Sequence, residues 1–84
     1  MVLRAVENEI GFSRVGFSVS KRVGKAVVRN RVKRRLKEIV RKQNLVQGMD
    51  IVFTARVPAA DVSYIELDRA VTYLFNKADL ISQP

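Results

Sequence analysis

One segment of this 84-residue sequence concentrates the side chains that could do chemistry. Residues 24–42, GKAVVRNRVKRRLKEIVRK, contain nine Lys and Arg residues and a single acidic residue, Glu38. Ammonium and guanidinium groups donate hydrogen bonds to anions, and the planar fork of Arg fits phosphate oxygens and base edges better than the point charge of Lys does. The composition of this segment therefore indicates recognition of a polyanion.

The remainder of the chain does not share this charge. Residues 21–42 hold eleven basic residues against one acidic residue, whereas the rest of the chain holds five basic and seven acidic residues. The formal net charge of +8 thus belongs to one element. Such asymmetry is typical of a docking surface for a nucleic acid or another polyanion.

Most other site chemistries are disfavoured by composition. The sequence has no Cys and no His, which excludes disulfides, thiolate zinc sites and an imidazole base. The Gly24-Lys25 pair is followed by Ala26 instead of Ser or Thr, so it does not complete a phosphate-binding P-loop. We predict no catalytic residue and no protein metal site, and we interpret four carboxylates as caps or surface groups: Asp50, Asp61, Glu66 and Asp68.

Two short strands are predicted before the basic segment. MVLRAVENE is the first, and SRVGFSVS is the second, because apolar and small residues alternate along it. We expect the loop around residues 10–12 to join these strands as a hairpin. The second strand would present Val15, Phe17 and Val19 on one face and three small residues on the other: Gly16, Ser18 and Ser20.

The basic segment is predicted to be a helix with one apolar stripe, formed by Val28, Val32, Leu36, Ile39 and Val40. Its cations recur four residues apart as like-charge pairs, and repulsion at 0.2–0.5 kcal/mol per pair would cost roughly 1–2 kcal/mol. A merely solvated helix face is one alternative, and an anionic membrane surface is another, although the Val- and Ile-rich stripe suits a core better. Like charges four residues apart destabilise a helix, and a sequence that repeats them this consistently favours a functional surface.

A third strand and a second helix complete the predicted fold. MDIVFTARV reads as a strand buried on both faces, ended by Pro58. In the following helix Ser63 and Glu66 match a capping box, and Val62 with Leu67 match a hydrophobic staple. The apolar stripe of this helix is predicted to contain Leu67, Ala70, Val71, Leu74, Phe75 and Ala78. The order β-β-α-β-α predicts an α+β fold, a two-layer sandwich with both helices mainly on one face of the sheet, in a single domain over residues 1–84.

The stretch GFSVSKRVGKAVVRNRVKRRLKEIVR resembles the protein subunit of bacterial ribonuclease P, with Arg29-Asn30-Arg31 at its centre. DIVFTAR and the C-terminal helix also fit, so the resemblance spans essentially the whole chain. It implies a fold related to a ribosomal-protein domain, with a left-handed β-α-β crossover. Handedness statistics alone would have favoured a right-handed crossover.

The resemblance also implies a function. In this family the RNA subunit catalyses removal of the 5′ leader from precursor tRNA, magnesium is organised by the RNA, and the protein is a non-catalytic subunit. The implied partners are ribonuclease P RNA and precursor tRNA, and Gly16, Ser18 and Ser20 would line a cleft for the leader. The residues implied to dock on RNA are Lys21, Arg22, Lys25, Arg29, Asn30, Arg31, Lys33 and Arg34.

Family members usually begin with an additional basic segment that forms a short helix, which this sequence does not contain. We therefore expect a single RNA-binding domain without that helix. If the natural protein lacks the segment too, uncovered apolar sheet surface could drive self-association. The main alternative is a ribosomal or general structured-RNA-binding protein, and a protein-only magnesium nuclease is a weaker one. A cytoplasmic, non-membrane protein is expected, because no signal peptide or apolar run of about 20 residues occurs.

Overall fold

The computed structural model describes residues 1–56 and 62–82. Pro58 and Asp61, to which the sequence analysis assigned roles, lie outside these ranges. The described elements follow the predicted β-β-α-β-α order, which confirms the fold class. They are β1 (Val2–Glu7), β2 (Arg14–Val19), a 3-10 turn (Lys21–Val23), α1 (Ala26–Arg41), β3 (Met49–Ala55) and α2 (Tyr64–Lys77).

The three strands are arranged in the order β1-β3-β2, so the predicted β1–β2 hairpin is wrong. The central strand β3 is antiparallel to β1 and parallel to β2. Because β3 is the most apolar strand, it takes the middle position and leaves strands with charged residues at the edges. The chain between β1 and β2 instead passes the end of β3, where Asn8 Nδ2 donates to Asp50 Oδ1 at 2.9 Å.

The sheet has one buried and one open face, so β3 is not buried on both sides as predicted. Ile51, Phe53 and Ala55 are buried, whereas the Val52 side chain between them is 46% exposed. The physical reason is that α1 and α2 both contribute to the same core, which contains these three residues. Because partner residues in a sheet point to the same side, Gly16 and Ser18 of β2 share the open face with Val52 and Thr54 of β3.

Each helix contributes one buried stripe to the core, as the two-layer prediction required. Val32, Leu36 and Ile39 come from α1, and Leu67, Val71 and Phe75 come from α2. The Phe75 ring meets the Phe53 ring edge-on, with 5.0 Å between centroids, and Phe17 stacks on Phe53 at 6.2 Å. Two predicted stripe residues of α2 are exposed instead: Ala70 and Ala78.

The start of α2 forms as its sequence predicts. The Ser63 hydroxyl oxygen accepts a hydrogen bond from the Glu66 backbone N–H at 3.1 Å, and the hydroxyl lies 3.2 Å from Glu66 Oε1. Val62 packs against the core that includes Leu67, which agrees with the predicted staple. The cap satisfies one of the free N–H groups at this helix end and places a carboxylate at the positive end of the dipole.

Side chains also connect the end of α1 to α2. Lys42 Nζ donates to the Tyr64 hydroxyl at 3.1 Å, and Gln43 Nε2 donates to Thr72 Oγ1 at 3.0 Å. These contacts join the C-terminal end of α1 to α2. None of the helices in residues 1–56 and 62–82 has the length and apolar character needed to span a membrane.

Candidate nucleic-acid interface

The solvent side of α1 forms a groove, here called the basic groove, that three of the predicted docking residues line together: Asn30, Lys33 and Arg34. Sequence reasoning did not include its other members among the sites, although their four-residue spacing was the signal that could have found them. These are Lys37, Glu38 and Arg41.

The two Arg residues that flank Asn30 occupy different environments. Arg31 is exposed, while Arg29 is half-buried and its Nε atom is enclosed without a hydrogen-bond partner in the described part of the chain. Asn30 is exposed between them, as its position predicted. Arg31 therefore offers a free guanidinium to a ligand, whereas part of Arg29 is held within the fold.

The start of α1 combines positive charge with the absence of a side-chain cap. Its N-cap residue is Lys25, which makes no capping hydrogen bond, and the first turn contains no acidic residue. Positive charge at this end opposes the helix dipole and favours the approach of an anion. The positive charge at the start of α1 is therefore not balanced by an acidic residue in the first turn of the helix.

A 3-10 turn sets the position of the cations that precede α1. Ser20 Oγ accepts from the Arg22 backbone N–H at 3.2 Å, and the buried Val23 anchors the turn. Gly24 has φ 154°, and a Cβ atom there would lie 3.1 Å from the Val28 Cβ, so a side chain would crowd α1. The predicted docking residues Lys21, Arg22 and Lys25 are all exposed next to the first turn of α1.

A second pocket, here called the strand-end pocket, lies where the parallel strands β2 and β3 end. Ser20, Arg22, Thr54 and Arg56 line it. Two guanidinium groups and two hydroxyl groups are suited to hold one phosphate by charge-assisted hydrogen bonds. Sequence analysis named Ser20 and Arg22 but missed Thr54 and Arg56, because their proximity depends on the parallel alignment of two distant strands.

The small residues predicted to line a leader cleft lie along one path. Gly16 and Ser18 are exposed on the open face of the sheet, and Ser20 continues from them into the strand-end pocket. A Cβ atom added to Gly16 would meet no atom within 4 Å, so the surface there is open. A flexible polymer backbone could approach the sheet closely along this path.

Of the four carboxylates interpreted as caps or surface groups, the three that the structure describes make structural contacts: Asp50, Glu66 and Asp68. Asp50 binds Arg14 through two hydrogen bonds, 2.9 and 2.6 Å long, and these bonds with that from Asn8 lower the pKa of Asp50 to about 2. Asp68 lies 3.3 Å from the Thr72 hydroxyl, which donates to it. Within residues 1–56 and 62–82, no three Asp or Glu side chains gather in a cluster that could hold a metal ion.

Comparison with known sequences identifies relatives over nearly the whole chain. The family model described as Ribonuclease P matches residues 1–79. The Ribonuclease P protein component of Dehalococcoides mccartyi strain 195 is 52% identical over 82 residues, covering 98% of this chain and 68% of the relative. The Alkaliphilus oremlandii protein of the same name is 46% identical, covering 98% of this chain and 74% of the relative.

Comparison with solved structures gives the same result. The RNase P protein of Staphylococcus aureus superposes with a TM-score of 0.84 at 32% identity, covering 95% of this chain and 75% of that chain. The RNase P protein of Thermotoga maritima superposes with a TM-score of 0.80 at 27% identity, covering 89% and 74%. Sequence and fold together show that this chain belongs to the family of ribonuclease P protein components.

Proposed function

We propose that this chain, as the protein subunit of ribonuclease P, docks its basic groove on the catalytic RNA and supports removal of the 5′ leader from precursor tRNA. The observation that carries this proposal is the accumulation of exposed cations on the solvent side of α1, with a neutral and buried stripe on the other side. The RNA subunit performs the hydrolysis, and the protein contributes binding.

The physical basis of docking is neutralisation of phosphates by these cations. Each phosphate neutralised releases counterions, which lowers log K by roughly 0.7–0.9 for every tenfold rise in salt. Bound RNA would also relieve the repulsion between like charges on α1. Binding of RNA should therefore restore to α1 the stability that charge repulsion removes in the free protein.

The strand-end pocket and the open sheet face support a role in contacting the leader of precursor tRNA. Arg22 and Arg56 would bind a leader phosphate, and the small Gly16 and Ser18 would let the single strand lie near the sheet. Non-specific binding of single strands commonly depends on such electrostatic grooves. We assign magnesium to the RNA subunit, because phosphate-rich ligands provide the oxygen atoms that this ion prefers.

Self-association through the open sheet face remains a prediction. Val6 and Val52 lie on this face and are 63% and 46% exposed. Their register partners Asp50 and Arg4 place charges beside them, which interrupts the apolar surface. Sedimentation equilibrium over a range of protein concentrations would measure the association.

The direct test is multiple-turnover cleavage of a precursor tRNA by a bacterial ribonuclease P RNA at low magnesium, with and without this chain. Strong stimulation by the wild-type chain is expected, and it should be largely lost when Arg31 and Arg34 are both changed to Ala. The matched control is Arg69→Ala with Lys77→Ala, which removes the same charge from exposed positions on α2. Absence of stimulation by a folded chain would overturn the proposal, and equal binding to unrelated structured RNA would favour a general RNA-binding protein.

A further inference from the structure

The basic groove of α1 is built from two different rows of side chains. One row, here called the cation row, contains Lys33, Lys37 and Arg41. The other row, here called the mixed row, contains Asn30, Arg34 and Glu38. Within each row successive residues are four apart, so neighbours lie about 6 Å from one another along the helix. The two rows differ in hydrogen-bonding capacity, since the cation row only donates and the mixed row also accepts.

Glu38 is the unexpected member of the mixed row. It is the single acidic residue between Lys21 and Lys42, and its side chain is 57% exposed. Its ion pair with Lys42 is 3.9 Å long and exposed, and such pairs contribute little to stability. Within the described residues its carboxylate makes no hydrogen bond, so this weak ion pair is a small structural reason for a negative charge in a groove for phosphates.

A carboxylate at this place discriminates between the groups that an RNA presents. Phosphate oxygens only accept hydrogen bonds, and their charge repels Glu38. The amino groups of guanine, cytosine and adenine donate hydrogen bonds, and Glu accepts from the cytosine amino group in known base contacts. Sequence-specific recognition of RNA mainly uses unpaired bases, whose edges are accessible, while phosphate contacts fix position without reading sequence.

We infer that Glu38 accepts a hydrogen bond from the exocyclic amino group of an unpaired RNA base, while the cation row holds the neighbouring phosphates. Asn30 and Arg34, next to Glu38 in the mixed row, supply an amide and a guanidinium for further contacts with base edges. This inference rests on the proposed function, because in it the mixed row of the RNA-docking groove determines which RNA the chain binds preferentially.

The test compares the affinity of the full chain for ribonuclease P RNA with its affinity for a ribosomal RNA fragment of equal length. Glu38→Ala removes the hydrogen-bond acceptor and should reduce the preference for ribonuclease P RNA about tenfold, within the range that one base contact contributes. Glu9→Ala changes the net charge equally at an exposed loop position and should leave the preference unchanged. Glu38 is exposed, so the thermal melting of Glu38→Ala should match the wild type.

Two results would overturn the inference. One is tighter binding of Glu38→Ala to both RNAs by the same factor, which would make Glu38 a purely electrostatic group. The other is an equal loss of preference in Lys42→Ala, which would mean that Glu38 acts only by orienting Lys42. The proposed function fails separately, and this inference with it, if the wild-type chain shows no preference for ribonuclease P RNA.

Discussion

The two helices pack on the same face of the sheet and bury three residues each, but their other features differ. Helix α2 begins with a Ser63 side-chain cap, carries Glu66 in its first turn and Lys77 in its last. Helix α1 begins at Lys25 without a side-chain cap and has no acidic residue in its first turn. Thus α2 follows the local rules of helix stability, and α1 breaks them at its N-terminal end.

The difference teaches which interactions hold each helix in place. Most of the stability of a helix in a protein comes from packing its apolar face, so α1 can form although its charges repel one another. Its buried Val32, Leu36 and Ile39 provide that packing. The solvent side of α1 is therefore available for binding. In α2 both the capped end and the buried face stabilise the fold.

The largest expected effect comes from breaking the scaffold helix. Phe75→Ala should lower the free energy of unfolding by about 3–5 kcal/mol, because the buried ring contacts Phe53 and its removal leaves a cavity. Urea denaturation followed by circular dichroism measures this change. Tyr73→Ala is the control on the same helix, since Tyr73 is 62% exposed and surface substitutions typically cost less than 0.5 kcal/mol. Equal losses in both variants would contradict the assignment of α2 as scaffold.

Removing positive charges from α1 should weaken RNA binding more than removing the same number from α2. Arg31→Ala with Arg34→Ala should weaken binding to ribonuclease P RNA roughly 100- to 1000-fold, if each lost contact contributes at the lower end of the about 1.5–3 kcal/mol typical of hydrogen bonds to charged groups. The free protein should melt at the same or a slightly higher temperature. Arg69→Ala with Lys77→Ala should change RNA affinity much less. Filter binding and thermal melting measure both quantities, and an unfolded α1 variant would show that these Arg residues are structural.

Exchanging the cap properties of the helices should give smaller effects of opposite sign. Ser63→Ala should destabilise the protein by about 1 kcal/mol, because it removes the hydrogen bond to the Glu66 N–H. Lys25→Ser should stabilise it by a similar amount, by supplying a cap and removing a positive charge, and should weaken RNA binding. Chemical denaturation checks both signs, and a Lys25→Ser variant less stable than the wild type would refute the interpretation of an uncapped helix.

The smallest effect concerns acid stability away from both helices. Asp50 has a folded-state pKa of about 2 against a usual value of 3.8, chiefly because Arg14 and then Asn8 hydrogen-bond its carboxylate. Its stabilising contribution should be complete above about pH 4 and be lost as the pH falls toward 2. Asp50→Asn should therefore flatten the pH dependence of the urea midpoint between pH 4 and 2. Glu9→Gln serves as the control, and an unchanged profile for Asp50→Asn would contradict this ion pair.

Local patterns in the sequence predicted the local features of the structure. The element order, the apolar stripes and the Ser63 cap all depend on residues within a few positions of one another. The strand order could not be predicted from these local patterns, because the position of β3 between β1 and β2 depends on packing between residues far apart in the sequence. The sequence also did not predict the exposure of Val52 or the pocket that Arg22 and Arg56 line together, because both depend on that strand order.

The salt dependence of binding to ribonuclease P RNA tests most directly whether α1 docks on the RNA while α2 only stabilises the fold. The slope of log K against log salt would be determined for the wild type, the Arg31→Ala/Arg34→Ala variant and the Arg69→Ala/Lys77→Ala variant. We expect the slope to become shallower by about 1.4–1.8 for the α1 variant, as two phosphate contacts are lost, and to stay unchanged for the α2 variant. Equal changes in both variants, or no change in the α1 variant, would contradict the assignment of α1 as the RNA-docking helix.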